Sequence, residues 1–114
     1  MIEFDLLKDG KRMAVTLSFD DGWYDERLVA LLNKYGIKGT FHLNSVNLKK
    51  QNPNFFNRIS EIYAGHEVAC HGATHPTFDN LPPEALYNEV YEDRRLLEEK
   101  TGYPVVGMSY PYGR

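Results

Sequence analysis

Residues 14–22 read AVTLSFDDG, a short β-branched and aromatic run that ends in two adjacent carboxylates and a glycine. A run of this kind, bounded by turn residues, predicts a buried strand over residues 14–19. A helical pattern follows over residues 24–35, where Leu28, Leu31, Leu32 and Tyr35 recur at helical spacing and Gly36 suits the position past the helix end. The same alternation then repeats. Residues 38–43 (KGTFHL) read as a second strand, residues 44–53 as a polar loop, residues 54–64 as a second helix closed by Gly65, and residues 66–70 (HEVAC) as a third strand. Pro82 and Pro83 open a long helix over residues 83–101, because the amide hydrogen that proline lacks would be unpaired in a first turn anyway. Leu86, Val90 and Leu97 mark its inward stripe, Gly102 and Pro104 end it, and residues 105–108 form a fourth strand. Residues 2–7 are read as an edge strand or hairpin arm. The expected class is α/β, with about four parallel strands and three helices outside them, as an open sheet or a barrel.

In such folds the loops after the strands gather at one end of the sheet, where active sites lie. Here the strand ends carry Asp20-Asp21-Gly22, His42, His71 with His75, and Tyr110-Pro111-Tyr112-Gly113. Two adjacent carboxylates repel unless a cation or separate hydrogen-bond partners absorb the charge. Side chains alternate along a strand, so Asp20 and Asp21 act at one site only if the chain turns there, and Gly22 permits a turn. Two histidines four apart, His71 and His75, can bring both imidazoles to one metal. Histidine with aspartate suits zinc or another first-row divalent ion, and three protein ligands with an open position is the catalytic arrangement. An isolated Asp-Asp-Gly reads as a solvated turn, and an isolated histidine pair as a surface feature. Their convergence on one rim points to an enzyme. The residues alone do not distinguish ligand from base between Asp20 and Asp21.

Composition narrows the partners. The 114 residues suffice for one domain, and 42% apolar with 25% charged residues is ordinary for a globular chain. The formal charge of −3 is interleaved, with no basic block, which argues against a nucleic-acid partner. The single cysteine, Cys70, excludes an intrachain disulfide and is expected to face the core as a small apolar side chain. There is no basic leader and no apolar run of membrane-spanning length, so a soluble chain is expected, cytoplasmic by default and without a membrane partner.

Phe19-Asp20-Asp21-Gly22, then His71-x-x-x-His75 preceded by Gly65-His66-Glu67, then Tyr110-Pro111-Tyr112-Gly113 resemble, in order, the first three motifs of the polysaccharide deacetylase family. This is the chitin-oligosaccharide deacetylase homology domain of carbohydrate esterase family four. Residues 34–41 (KYGIKGTF) resemble that family's link from first helix to second strand. The resemblance implies a partial, distorted (β/α) barrel and a metal-dependent hydrolase that removes acetyl groups from N- or O-acetylated carbohydrate polymers. It implies Asp21, His71 and His75 as ligands of a divalent ion, most readily zinc, with cobalt or nickel as alternatives. Asp20 becomes the general base that takes a proton from the nucleophilic water, and the backbone N–H of Tyr112 a donor to the oxyanion.

Two departures from the family pattern stand out. The third motif usually carries an arginine two residues before its proline, at the position that is Ser109 here, and Arg114 is the nearby guanidinium considered as its substitute. The family domain also continues to further strands and a late histidine. The chain is therefore read as one domain over residues 1–114, truncated at its C-terminus, with an open sheet edge that a homo-oligomer would cover. Of the remaining histidines, His66 is expected to be a hydrogen-bonded turn residue, and His42 a packing residue or an aid to the rim. Alternatives to the deacetylase are a barrel amidohydrolase acting on a non-carbohydrate amide, and an incomplete or non-catalytic metal- or glycan-binding module.

Overall fold

The computed structural model describes residues 7–114, so the arm expected over residues 2–7 lies, apart from Leu7, outside the described residues. Three strands, β1 (Ser18–Asp20), β2 (Thr40–Leu43) and β3 (Glu67–Cys70), pair in parallel in the order β1-β2-β3. Phe19 is in register with Phe41 and Phe41 with Val68, while Asp20 is in register with His42 and His42 with Ala69. Side chains alternate along a strand, so the first trio lines one face and the second the other. The apolar face packs under the helices. Phe19 and Phe41 stack at 5.3 Å between ring centroids, and Tyr63 meets Phe41 at 4.9 Å.

The helices are α1 (Asp25–Lys34), α2 (Ser45–Gln51), α3 (Pro53–Asn57), α4 (Ile59–Ile62) and α5 (Pro83–Thr101). In α1 the buried positions are Asp25, Val29 and Leu32, four and three residues apart, which is one helical face. Leu31 and Tyr35, expected on the inward stripe, point to solvent. Helix α5 starts at Pro83, as the sequence predicts. It ends at Gly102 (φ 76), whose N–H donates to the Glu98 carbonyl in the left-handed cap that glycine favours. Its buried residues are Asp93, Leu96 and Leu97, and Leu86 and Val90 are only half-buried. Leu97, Phe41, Leu43 and Ile59 have no exposed surface and form the centre of the core.

The element count differs from expectation in four places. Pairing of β1 begins only at Ser18, because β2 starts at Thr40; upstream, the Leu17 carbonyl accepts the Thr40 N–H and ends the ladder. The fourth strand is reduced to a parallel bridge between Cys70 and Met108, with Cys70 donating to Gly107 O and Ser109 donating to Cys70 O. The helix expected over residues 54–64 breaks at Arg58 (φ −105) into α3 and α4. The segment expected as a polar loop over residues 44–53 contains helix α2. Its first-turn amides, which no residue of the helix itself can satisfy, donate to distant acceptors. Ser45 N–H reaches Asp93 Oδ1 at 2.8 Å, and Val46 and Asn47 N–H both reach the Ala73 carbonyl. Those acceptors lie outside the segment, so its own sequence could not announce the helix. The α/β class with a parallel sheet holds, with three strands and a bridge among the described residues in place of four strands, and five short or long helices in place of three.

Candidate active site

Beyond β1 the chain reverses in a tight turn in which Asp21 (φ 74), Gly22 (φ 79) and Tyr24 (φ 62) all adopt left-handed backbone conformations. Such conformations are costly for residues with a Cβ and concentrate at functional sites. Asp21 still donates its N–H to the His42 carbonyl at 3.0 Å, so the ladder runs right up to the turn. The left-handed Asp21 breaks the strict alternation of the strand, which brings both carboxylates to one rim. A Cβ at Gly22 would also sit 3.2 Å from Leu48 Cδ2, a tight contact that adds to the strain of the left-handed backbone there.

Beyond β3, His71 is buried and held by its backbone. Its N–H lies 2.8 Å from Asp93 Oδ2 on α5 and 3.1 Å from the Leu43 carbonyl. Asn44 donates its side-chain amide to the carbonyls of His71 and Gly72, at 2.7 and 2.9 Å. The imidazole Nδ1 lies 3.0 Å from the Ser109 carbonyl and 2.8 Å from Ser109 Oγ. A carbonyl can only accept, so Nδ1 carries the proton, and Nε2 presents a lone pair toward the carboxylates. His75, again left-handed (φ 62), brings its ring to 4.8 Å from that of His71.

The four residues expected at the site are brought together. Asp21 Oδ1 lies 3.5 Å from His71 Nε2 and 3.3 Å from His75 Nε2, and one donor atom from each of the three lies within 4.8 Å of the others. Ligands at zinc–nitrogen and zinc–oxygen bond lengths in a tetrahedron are roughly 3.3 Å apart, so two of the three edges already match. Asp20 stands beside them, half-exposed, with Oδ2 3.7 Å from His71 Nε2. Tyr112, in the left-handed conformation (φ 56) within the 3-10 turn Pro111–Gly113, places its ring 4.6 Å from His75.

The neighbours of Asp20 are His42, expected as a packing residue or an aid to the rim, and Ser109, which stands where the family pattern has an arginine. His42, its register partner on β2, places Nδ1 3.1 Å from Asp20 Oδ1. That nitrogen is buried and out of line for a hydrogen bond in this rotamer, and it has no other partner among the described residues. Ser109 Oγ is 3.5 Å from the same carboxylate oxygen. Arg114 is not paired with Asp20 among the described residues; its carbonyl instead accepts the Phe78 N–H. The signal for His42 was the parity of two paired strand ends, which needs the register. Asp93 and Asn44 gave no signal, since each acts on a backbone far away in sequence.

Two further carboxyls are buried. Burial pushes Asp25 up to about 6, offset in part by the Tyr63 hydroxyl donating to Oδ2 at 2.6 Å, with the Asp21 charge adding to the rise. Burial likewise pushes Asp93 up to about 6, against the hydrogen bonds it accepts from Ser45 and His71. The Cys70 thiol, buried as expected, is pushed up to about 12, chiefly by desolvation. His66 accepts the Gly39 N–H at Nδ1 and faces Asn33 Oδ1 with Nε2 at 2.7 Å, a neutral structural histidine whose pKa burial lowers.

An open cleft of about 460 Å³ begins at Asp21 and His75 and runs between Trp23 and α2 to Asn52 and Phe55. No helix among the described residues is long and apolar enough to cross a membrane.

The chain matches the polysaccharide deacetylase family model over residues 8–114. It is 30% identical over 109 residues to a peptidoglycan-N-acetylglucosamine deacetylase of Listeria monocytogenes, an alignment that covers 93% of this chain and 22% of that protein. It is similar to the crystal structure of the Xyl-CE4 domain of a multidomain xylanase from the hindgut metagenome of Trinervitermes trinervoides. There the TM-score is 0.73 at 27% identity, over 85% of this chain and 47% of that one. It is equally similar to a CE4 family pseudoenzyme from Bacillus anthracis, with a TM-score of 0.73 at 27% identity, over 86% of this chain and 35% of that one. The chain thus spans about half of the xylanase domain and about a fifth of the Listeria protein. With its parallel sheet, outer helices and a partial barrel shared with these structures, the chain belongs to the polysaccharide deacetylase family.

Proposed function

We propose that residues 1–114 act as one domain, the metal-binding portion of a hydrolase that removes acetyl groups from N- or O-acetylated carbohydrate polymers. The observation that carries this reading is the meeting of Asp21, His71 and His75 donor atoms within 4.8 Å, at the rim of a family-matched fold. Two imidazoles and one carboxylate suit zinc, with cobalt or nickel as alternatives. A divalent ion held there would supply Lewis acidity, lowering the pKa of water and polarising the acetyl carbonyl.

The chain's own residues do the rest. Ser109 fixes the His71 tautomer through Nδ1, so that Nε2 is free to ligate. Asp20, half-exposed and within 4 Å of the same imidazole, is the general base that accepts the proton of the attacking water. His42 and Ser109 flank its Oδ1 and, once the His42 ring turns to bring Nδ1 into line, orient it, in the role for which family members use an arginine. The Tyr112 backbone N–H is the proposed donor to the oxyanion. Among the described residues β1 pairs only with β2, and a second copy covering that edge is the proposed assembly, which sedimentation velocity would reveal as a dimer.

Acetate release from acetylated sugar oligomers, with zinc supplied and the Asp20→Asn variant as control, tests the reading. Release that Asp20→Asn abolishes supports it. A second reading, a metal- or glycan-binding module without turnover, is favoured by the likeness to a CE4 family pseudoenzyme. Oligomer binding with no release by the wild type would select it.

A further inference from the structure

The cleft that leaves the rim over α2 is not needed to hold a metal or activate water, and its walls have a distinct chemistry. The indole of Trp23 is 68% exposed, presented by the same left-handed turn that carries Asp21. Leu48 and Phe55 form the apolar side of the cleft. The polar side consists of side-chain amides, which donate and accept but carry no charge. Two of them are already oriented. Asn47 Nδ2 is engaged with the Thr74 carbonyl at 3.1 Å, so its Oδ1 is the atom it offers. Asn52 Oδ1 caps α3 by accepting the Phe55 N–H, so Asn52 offers its Nδ2 donors. Gln51 completes the set. Among the described residues no lysine or arginine lines the cleft, and its ionisable groups, Asp21 and His75, lie at the rim end.

An exposed indole facing uncharged donors and acceptors suits a sugar ring, with apolar C–H faces and hydroxyl or N-acetyl edges. A carboxylated sugar would find no cation to offset its desolvation. We propose that this cleft is a subsite for an uncharged sugar unit adjoining the acetylated one, with Trp23 as its stacking platform and Asn47, Gln51 and Asn52 as its polar contacts. The proposal rests on the deacetylase reading and names its substrate as a neutral glycan.

Trp23 is the chain's one tryptophan, so its fluorescence reports occupancy of the cleft independently of turnover. The full chain is titrated with an N-acetylglucosamine oligomer and with an oligogalacturonate of equal length, and acetate release is followed in parallel. The neutral oligomer is expected to give a saturable emission change, and the anionic one none over the same range. Gln51→Ala should weaken the response roughly three- to tenfold, the worth of one neutral hydrogen bond. Trp23→Phe, with its folding checked by circular dichroism, should raise KM for oligomers by more than it lowers kcat. No emission change with the neutral oligomer, or an equal response to the anionic one, overturns the subsite. If acetate release proceeds in that case, the deacetylase reading stands without it. A neutral-selective emission change with no release instead removes the deacetylase reading and leaves a glycan site.

Discussion

Asp25 is a carboxyl with almost no exposed surface, four residues past the site's first metal-binding candidate, and its folded-state pKa is raised from 3.8 to about 6. Desolvation is the main cause; the hydrogen bond from Tyr63 opposes it and the charge of Asp21 adds to it. Asp25→Asn keeps the shape and an oxygen to accept the Tyr63 hydroxyl but cannot ionise. A raised carboxyl contributes stability that is fully present below the unfolded pKa and is lost as pH rises through the folded one, because the native state then holds a proton that the unfolded chain has released. A displacement of this size corresponds to about 3 kcal/mol. The measurement is urea unfolding of both proteins between about pH 4 and about pH 7, with chelator present so that no ion occupies the neighbouring rim. The advantage of the wild type over the variant should shrink by about 2.4 kcal/mol across that range, with most of the change between 3.8 and about 6. All other titrating groups are common to both proteins and cancel. A flat difference would mean that the Tyr63 hydrogen bond offsets burial in full, and one that grows with pH that it outweighs burial and the charged form is the favoured one inside the protein.

Zinc at roughly 100 times its Kd should stabilise the wild type by about 2.7 kcal/mol. Asp20→Asn should keep that gain, whereas His71→Ala or His75→Ala should lose it, as read by thermal unfolding with and without metal; retention in both histidine variants would contradict the ligand assignment. His42→Ala frees the Asp20 carboxylate at Oδ1 and should lower turnover on the order of ten- to a hundredfold with unchanged zinc affinity; steady-state kinetics beside calorimetric zinc titration checks both halves. Asp93→Ala removes the acceptor of the Ser45 and His71 amides at once and should cost about 3 kcal/mol in urea unfolding. A loss under about 1 kcal/mol would show that the Leu43 carbonyl and water replace it.

The elements most legible in the sequence are those whose signals are local. Helix α5 is bounded by Pro83 and Gly102, residues whose backbone restrictions act where they stand, and the structure ends the helix on them. The rim residues were legible because a parallel sheet sends every strand end to one side, so Asp20, Asp21, His71 and His75 had to be neighbours once the alternation was recognised. Left open were features that depend on partners distant in the chain. Helix α2 exists because Asp93 and Ala73 accept its first amides, and a window of residues 44–53 holds neither.

The sequence by itself therefore determined the α/β class and the rim that carries Asp20, Asp21, His71 and His75, since periodicity and turn residues act over a few positions; the choice of Asp21 over Asp20 in the candidate triad came from the family resemblance. Only the tertiary structure decided what holds that triad in place. The register that sets His42 against Asp20 and the buried Asp93 clamping His71 each join segments separated by many residues. A hydrogen bond between distant groups has no local signature until the chain has folded around it.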